Sequence, residues 1–316
     1  MSKPWNLDDI PPQTGRRVVI TGANSGIGYQ TAAILARRGA EVVLACRDER
    51  RGAEALACLR GEVPGAQAEL APLDLACLAS VRAFADREKA SCKPIDLLVN
   101  NAGVMAPPRR LETADGLELQ FGTNVLGHFV LTKLLLPALQ TTAANSRERP
   151  RVVTIASIAH KQGRLDFDDL QATRSYRPMV AYRQSKLANL MFALELNRRL
   201  RAAGSRVMSV AAHPGVANTN LFRSGSHSSA GHAARAALGA FIGAVLNSDV
   251  AGALPTLYAA TASDVVDGGY YGPLGLFEAR GERVGPAKIA AQAKDEDEAR
   301  RLWQACETLA AALTAA

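Results

Sequence analysis

The strongest constraint on this chain is a rhythm in its hydrophobicity. Short apolar runs at 17–21, 41–46, 68–73, 95–100, 151–156 and 206–212 alternate with longer stretches of helical periodicity. Those stretches lie at 26–38, 49–60, 78–90, 113–139 and 179–203. A run that is apolar at nearly every position suits a strand covered on both faces. Strands alternating with helices predict crossover connections and a parallel sheet. The expected fold is therefore α/β: a Rossmann-type, doubly wound, seven-stranded parallel sheet with helices on both faces, its last strand near 268–272. With no internal repeat and no separating linker, one domain is expected across 1–316. It carries an N-terminal extension at 1–15, a Gly/Ser-rich stretch at 217–248 that reads as a substrate loop or lid, and an alanine-rich, charged tail at 281–316 that reads as packed helix.

Composition bounds what such a sheet serves. The net charge of +7 comes from 37 basic and 30 acidic residues, and its basic clusters at 46–51, 146–151 and 196–201 are scattered without interleaved aromatics. That pattern argues against nucleic acid as a partner. The longest apolar window, 236–246, falls far short of the roughly 20 residues that span a bilayer. The first twenty residues contain no signal-peptide core, so no membrane anchor and a cytoplasmic location are expected. Five cysteines, an odd number without a C-x-x-C pair, read as reduced thiols. His128, His160 and His213 show no metal-like spacing and read as core, loop and turn residues, with His160 near a substrate entrance; no metal is expected.

The first strand empties into "TGANSGIG", with glycines at 22, 26 and 28. Glycine lets the backbone turn tightly there and approach a ligand. The helix that starts near Ser25 turns its free N–H groups and positive dipole end toward the loop. A pyrophosphate is the natural occupant, held by Gly22, Asn24, Ser25, Gly26, Ile27 and Gly28. Alone, the loop names only a ligand class. Where an NAD site usually has an acidic residue for the ribose, this chain has Cys46 followed by Arg47. A guanidinium matches a 2′-phosphate, and the missing carboxylate removes repulsion, so NADP(H) is the expected cofactor.

Three more strand ends belong to the same crevice. Asp74, followed by Leu75, reads either as an acceptor for the adenine amino group or as a helix cap. Asn101, Ala102 and Gly103 close the fourth strand beside the cofactor. Pro214, Gly215 and Val216 turn the chain after the sixth, which sets Thr219 to bond the nicotinamide amide.

"VAYRQSKLANL" puts Tyr182 and Lys186 on one helix face, and Ser157 ends the fifth strand. A free tyrosine, with a pKa near 10, is a poor acid–base catalyst at neutral pH. A lysine one turn away, together with the positive ring of an oxidised nicotinamide, is expected to lower that pKa. Tyr182 then exchanges a proton with a substrate oxygen while hydride moves at the adjacent carbon, and Ser157 orients that oxygen. Each piece alone is a weak signal. Their order along the chain is what carries weight.

Through "TGANSGIG", "NNAG", Asn124, Ser157, "YRQSK" and "HPG", the region 15–275 resembles the short-chain dehydrogenase/reductase family. The resemblance implies that Tyr182 is the acid–base, that Lys186 also holds the nicotinamide ribose, and that Ser157 positions the carbonyl. It further implies that Asn124, in "FGTNVLGHF", completes a catalytic tetrad through a water relay, with Gly122 and Gly127 loosening its helix. "VVLACRD", "TNVLGHFVLT" and "AYRQSKLANL" are most similar to the retinol dehydrogenase and protochlorophyllide reductase-like branch. That branch implies an apolar aldehyde or ketone and its alcohol as the small-molecule substrate, with reduction of a C=C bond as the alternative. A non-catalytic NADP-sensing protein is the remaining reading. Family analogy implies a homodimer or homotetramer through the helices at 113–139 and 179–203, unless the tail replaces those contacts.

Overall fold

In the computed structural model, which describes residues 4–215, 248–275 and 278–315, the apolar runs assemble into one eight-stranded sheet. Its strands are β1 (Arg17–Thr21), β2 (Glu41–Cys46), β3 (Ala68–Pro72), β4 (Leu97–Asn100), β5 (Arg151–Ile155), β6 (Met208–Ala212), β7 (Tyr270–Pro273) and β8 (Val284–Pro286). They lie in the order β3-β2-β1-β4-β5-β6-β7-β8. The first seven run parallel. The eighth returns antiparallel to β7, pairing Tyr271 with Pro286 and Pro273 with Val284. The expected seven-stranded parallel sheet thus gains an edge strand from a tail read as helix. A three-residue strand holding a glycine and a proline has no alternation to betray it, and proline is tolerated at a sheet edge.

Among the described residues the α-helical segments are α1 (Gly26–Arg37), α2 (Glu49–Glu62), α3 (Leu78–Ala90), α4 (Leu119–Phe121), α5 (Gly127–Asn145), α6 (Pro178–Ala202), α7 (Asp249–Thr261) and α8 (Glu296–Ala315). α1, α2 and α7 bury their apolar stripes on one face, around Ile34, Leu59 and Leu257. α3, α5, α6 and α8 cover the other, around Phe84, Phe129, Met191 and Leu302. Among the described residues no helix is long and apolar enough to cross a membrane. All five cysteines are free.

The helix expected over 113–139 begins later and runs longer. Thr113 closes a turn by donating its N–H to the Leu117 carbonyl, with Gly116 at φ +76°. Helix starts only at α4, where the Glu118 carboxylate accepts from the Gln120 and Phe121 N–H groups. Glutamate is an uncommon cap, which hides this start in the sequence. A π turn, Gly122–Leu126, joins α4 to α5, and Pro137 does not end α5. The π turn is the loosening expected of Gly122 and Gly127. Gly127 also admits a close neighbour, because a Cβ there would lie 2.5 Å from the Leu75 carbonyl oxygen.

Two features frame the site. At the amino ends of the strands, the buried Arg17 guanidinium pairs with Glu41, Glu69 and Glu88, while the Asp96 carboxylate accepts the Arg17 N–H. At the carboxyl ends, the order turns between β1 and β4, which opens the crevice where ligands of such sheets sit. The tail does pack as helix: Trp303 of α8 stacks on Phe192 of α6 and meets Phe129 of α5 edge-on.

Candidate active site

The glycine loop is built as the turn demanded. Gly22 and Gly26 adopt φ +67° and +57°, which a side chain would strain. A Cβ on Gly28 would come within 2.5 Å of both the Gly22 carbonyl oxygen and Asn101 Nδ2. The first turn of α1 holds no acidic residue, and its cap, Ser25, makes no side-chain hydrogen bond. The helix therefore presents its N–H groups to the loop without a competing carboxylate.

Thr21, the last residue of β1, was not singled out from the sequence, yet it ties this loop to the next. Its hydroxyl accepts from the N–H groups of Asn101 and Ala102, both at 2.9 Å. Asn101 Nδ2 in turn donates to the Thr21 carbonyl at 2.8 Å. The "NAG" turn is thereby bolted beside the glycine loop. Cys46 is buried at the end of β2, where its sulfur receives the Ala23 and Asn24 N–H groups and burial pushes the thiol up to about 11. It behaves as a packing residue. Arg47 beyond it is exposed, and Asp48, not Arg47, caps α2.

Asp74 does not cap α3. It closes a local turn by accepting the Ala76 N–H at 2.9 Å, while the N–H of Leu78 goes to Asp115. Leu75 is buried, its backbone against Gly127. After β6, Gly215 takes φ +71° and donates its N–H to His213 Nδ1, beside half-buried Pro214. Val216 and Thr219 lie outside the described residues, as does nearly all of the expected lid at 217–248.

Asn124, Ser157, Tyr182 and Lys186 converge. Asn124, on the π turn, is fully buried and binds Val104 twice: Oδ1 accepts the Val104 N–H at 2.8 Å, and Nδ2 donates to its carbonyl at 3.0 Å. The same Nδ2 donates to Ser185 Oγ, on α6 between Tyr182 and Lys186. A Cβ on Gly103 would sit 3.2 Å from Asn124 Oδ1 and 3.7 Å from Lys186 Nζ, so the "NAG" turn passes between them. Ser157 caps the 3₁₀ turn Ile158–Gln162, its hydroxyl accepting the Ala159 N–H, and the same side chain lies by the Tyr182 phenol, where it favours the ionised form. Lys186 Nζ donates to the Ile155 carbonyl at 3.1 Å, with Asn189 Nδ2 on the same oxygen at 3.3 Å.

In the chain alone, burial sets the electrostatics of both groups. Burial pushes the Tyr182 phenol up to about 12, and only the Ser157 side chain opposes it. Burial pulls the Lys186 ammonium down to about 8. Among the described residues no carboxylate pairs with this lysine, so desolvation dominates both groups. His160 differs from the expectation: it is wholly buried, not at an entrance. Its Nδ1 donates to the Ser157 carbonyl at 2.7 Å, and its Nε2 accepts the Ala290 N–H, so it fastens the tail to the Ser157 turn.

Among the described residues no cluster of His, Cys, Asp and Glu has the makings of a metal site. The pieces brought together are a helix N-terminus behind a glycine turn, and a tyrosine–serine pair with a buried lysine. That combination matches known proteins along most of the chain. The family model "short chain dehydrogenase" matches residues 16–229. Polyprenol dehydrogenase of Mus musculus is 46% identical over 297 residues, covering 93% of this chain and 83% of its own. Retinol dehydrogenase 13 of Homo sapiens is 43% identical, with coverages of 92% and 82%. A crystal structure of an uncharacterized protein from Mycobacterium Paratuberculosis superposes with a TM-score of 0.78 at 42% identity, covering 98% of both chains. On sequence, sheet and site alike, this chain belongs to the short-chain dehydrogenase/reductase family of oxidoreductases.

Proposed function

We propose that this chain interconverts an apolar aldehyde or ketone and its alcohol, using NADP(H), with Tyr182 as the acid–base. The observation that carries the reading is the convergence of the buried Tyr182 phenol with Ser157, and with Lys186 buried one turn away and, among the described residues, without a carboxylate partner. A buried ammonium left without a counter-charge is costly to the fold, which marks Lys186 as a functional-site candidate.

The chain's own residues suit a 2′-phosphorylated dinucleotide. Gly22, Asn24, Ser25, Gly26, Ile27 and Gly28 would hold the pyrophosphate against the α1 terminus. Exposed Arg47, with no carboxylate at the end of β2, would take the 2′-phosphate. Asp74 retains a carboxylate oxygen for the adenine, and Asn101, Ala102, Gly103, Pro214 and Gly215 would flank the nicotinamide half. Val216 and Thr219 are assigned there from the sequence. When bound, the dinucleotide supplies the hydride and, once oxidised, a positive ring near the phenol.

In reduction, Ser157 donates to the substrate carbonyl oxygen and Tyr182 delivers its proton there. In oxidation, Tyr182 takes the hydroxyl proton. Lys186 would hold the dinucleotide ribose and stabilise the phenolate, while Asn124 fixes the turn that carries Ser185 and Lys186. Because relatives carry the names polyprenol dehydrogenase and retinol dehydrogenase, long apolar alcohols are a sensible first choice for the substrate panel. Met179 and Val180, which expose apolar surface three and two residues ahead of Tyr182, favour the same class.

The test is turnover of NADPH against a panel of retinoid, prenyl and short-chain aldehydes, ketones and enones. Tyr182→Phe is expected to lower kcat by about 10³ and to leave NADPH binding within about twofold. Turnover of enones alone, or NADPH binding with no turnover on the whole panel, would overturn the proposal.

A further inference from the structure

His128 is 1% exposed, one turn beyond Asn124, and no part of the chemistry above needs an imidazole there. Its two ring nitrogens are nevertheless both engaged. Nδ1 lies 3.0 Å from the Asn124 main-chain oxygen, and Nε2 lies 2.9 Å from Thr21 Oγ1. A carbonyl can only accept, so the proton sits on Nδ1 and Nε2 must accept. Thr21 Oγ1 already accepts two N–H bonds, from Asn101 and Ala102. Its own proton is left to donate, and Nε2 is the nearer partner; the Val99 carbonyl stands at 3.4 Å. Donor and acceptor counting thus gives one consistent directed chain: Asn101 and Ala102 N–H to Thr21, Thr21 to His128, His128 to the Asn124 carbonyl. Burial and the nearby Lys186 charge hold the ring neutral, as this chain requires.

The two ends of that chain do different jobs. Thr21 fixes the Asn101–Ala102 turn, which is packed against Gly22 and Gly28 on the dinucleotide side. Asn124 fixes Val104 and Ser185, on the side of Tyr182 and Lys186. The π turn makes the link geometrically open. Gly122 bonds to the Gly127 N–H, one residue further than in an α-helix, and the Asn124 carbonyl accepts a side chain.

We propose that His128 is a positioning residue that couples the two halves of the site: its neutral imidazole, protonated on Nδ1, bridges Thr21 to the Asn124 carbonyl and holds the dinucleotide turn in register with the Tyr182–Lys186 helix. This rests on the function proposed above. It touches neither dinucleotide nor substrate and acts through Thr21 and Asn124.

Half-length replacements separate the two ends. In His128→Asn the amide nitrogen sits where Nδ1 was and retains the bond to Asn124, but nothing reaches Thr21. In His128→Gln the amide oxygen reaches toward Thr21, and the Nδ1 bond is lost. His128→Leu removes both. NADPH dissociation constants, read by fluorescence titration without turnover, are expected to rise about tenfold in His128→Leu and about fivefold in His128→Asn, and to stay within about twofold in His128→Gln. With the best aldehyde of the panel at saturating NADPH, His128→Gln lowers kcat about fivefold, and His128→Asn leaves it near wild type. A residue that merely fills the core would move melting temperature, Kd and kcat together, and an apolar leucine of similar bulk would be tolerated. Wild-type NADPH affinity in His128→Leu would overturn the inference, as would equal shifts of both readouts in the Asn and Gln variants. If His128→Leu does not fold, the other two variants decide alone. Failure of the wild type itself to bind NADPH would instead sink the underlying functional reading. In ¹⁵N-histidine spectra, an Nε2-protonated tautomer at residue 128 would likewise refute the bridge.

Discussion

Replacing Lys186 with methionine is expected to stabilise the dinucleotide-free protein while destroying its activity. At neutral pH the ammonium is charged in both the folded and the unfolded chain. Burial has nevertheless pulled its pKa from 10.5 to about 8. At about 1.36 kcal/mol per pK unit, roughly 3 kcal/mol is set against the folded state. Methionine keeps an unbranched stem of similar length and removes the charge. The lost bond to the Ile155 carbonyl, still served by Asn189, returns a part of this. The net gain is about 2 kcal/mol, or roughly 3 °C in melting temperature for a domain this large. Between pH 8 and 10.5 the unfolded chain keeps a proton that folded Lys186 has released. Wild-type stability therefore rises with pH through that window, and the variant's advantage shrinks. Tyr182 acts in the opposite sense only above pH 10, where the folded phenol keeps its proton toward about 12 and the unfolded one does not. Calorimetry without dinucleotide at about pH 7 and about pH 9.5 separates the two effects. A less stable methionine variant at neutral pH, or an advantage that ignores pH, would refute the account of a lysine held uncompensated for function.

Arg47→Ala should weaken NADPH by about tenfold or more and leave NADH nearly unchanged in parallel titrations; equal effects would remove the 2′-phosphate contact. Arg17→Met should cost about 3 kcal/mol in urea unfolding, because Glu88, buried with it, is left with only half-exposed Arg87; a near-neutral result would mean that the cluster is dispensable.

Most of the parallel sheet was legible because its strands are buried on both faces, so their apolar runs announce themselves without alternation. Many of the candidate site residues were legible for a related reason: they stand where strands end, and Tyr182 and Lys186 share a helix face by spacing alone, whereas Asn124, inside the π turn, was picked out only by resemblance. What could not be read depended on partners distant in the chain. β8 has too few residues to show a period and exists only because β7 is there to pair with. The start of α4 rests on Glu118, whose carboxylate becomes a cap once the Thr113 turn presents it. Thr21 looks like any strand-end threonine until Asn101 and Ala102 arrive above it. The burial that pushes the Tyr182 phenol up is set by the surrounding fold, which spacing along a helix cannot report. For His128, residue type alone favours a packed core ring, and only both hydrogen bonds together distinguish a bridge from filler.

The Arg17 cluster divides the labour of the sheet between its two ends. One guanidinium draws together carboxylates from β2, β3 and α3 at the amino ends, as far along β1 from Thr21 as that strand allows. Adhesion is thus concentrated at the end where nothing reacts, and the reactive end is left with an unpaired lysine and glycine turns. A chain organised this way can exchange the loops that select its substrate without loosening the staple that holds its strands. Substrate range and thermal endurance should therefore be free to drift independently among relatives that share the sheet.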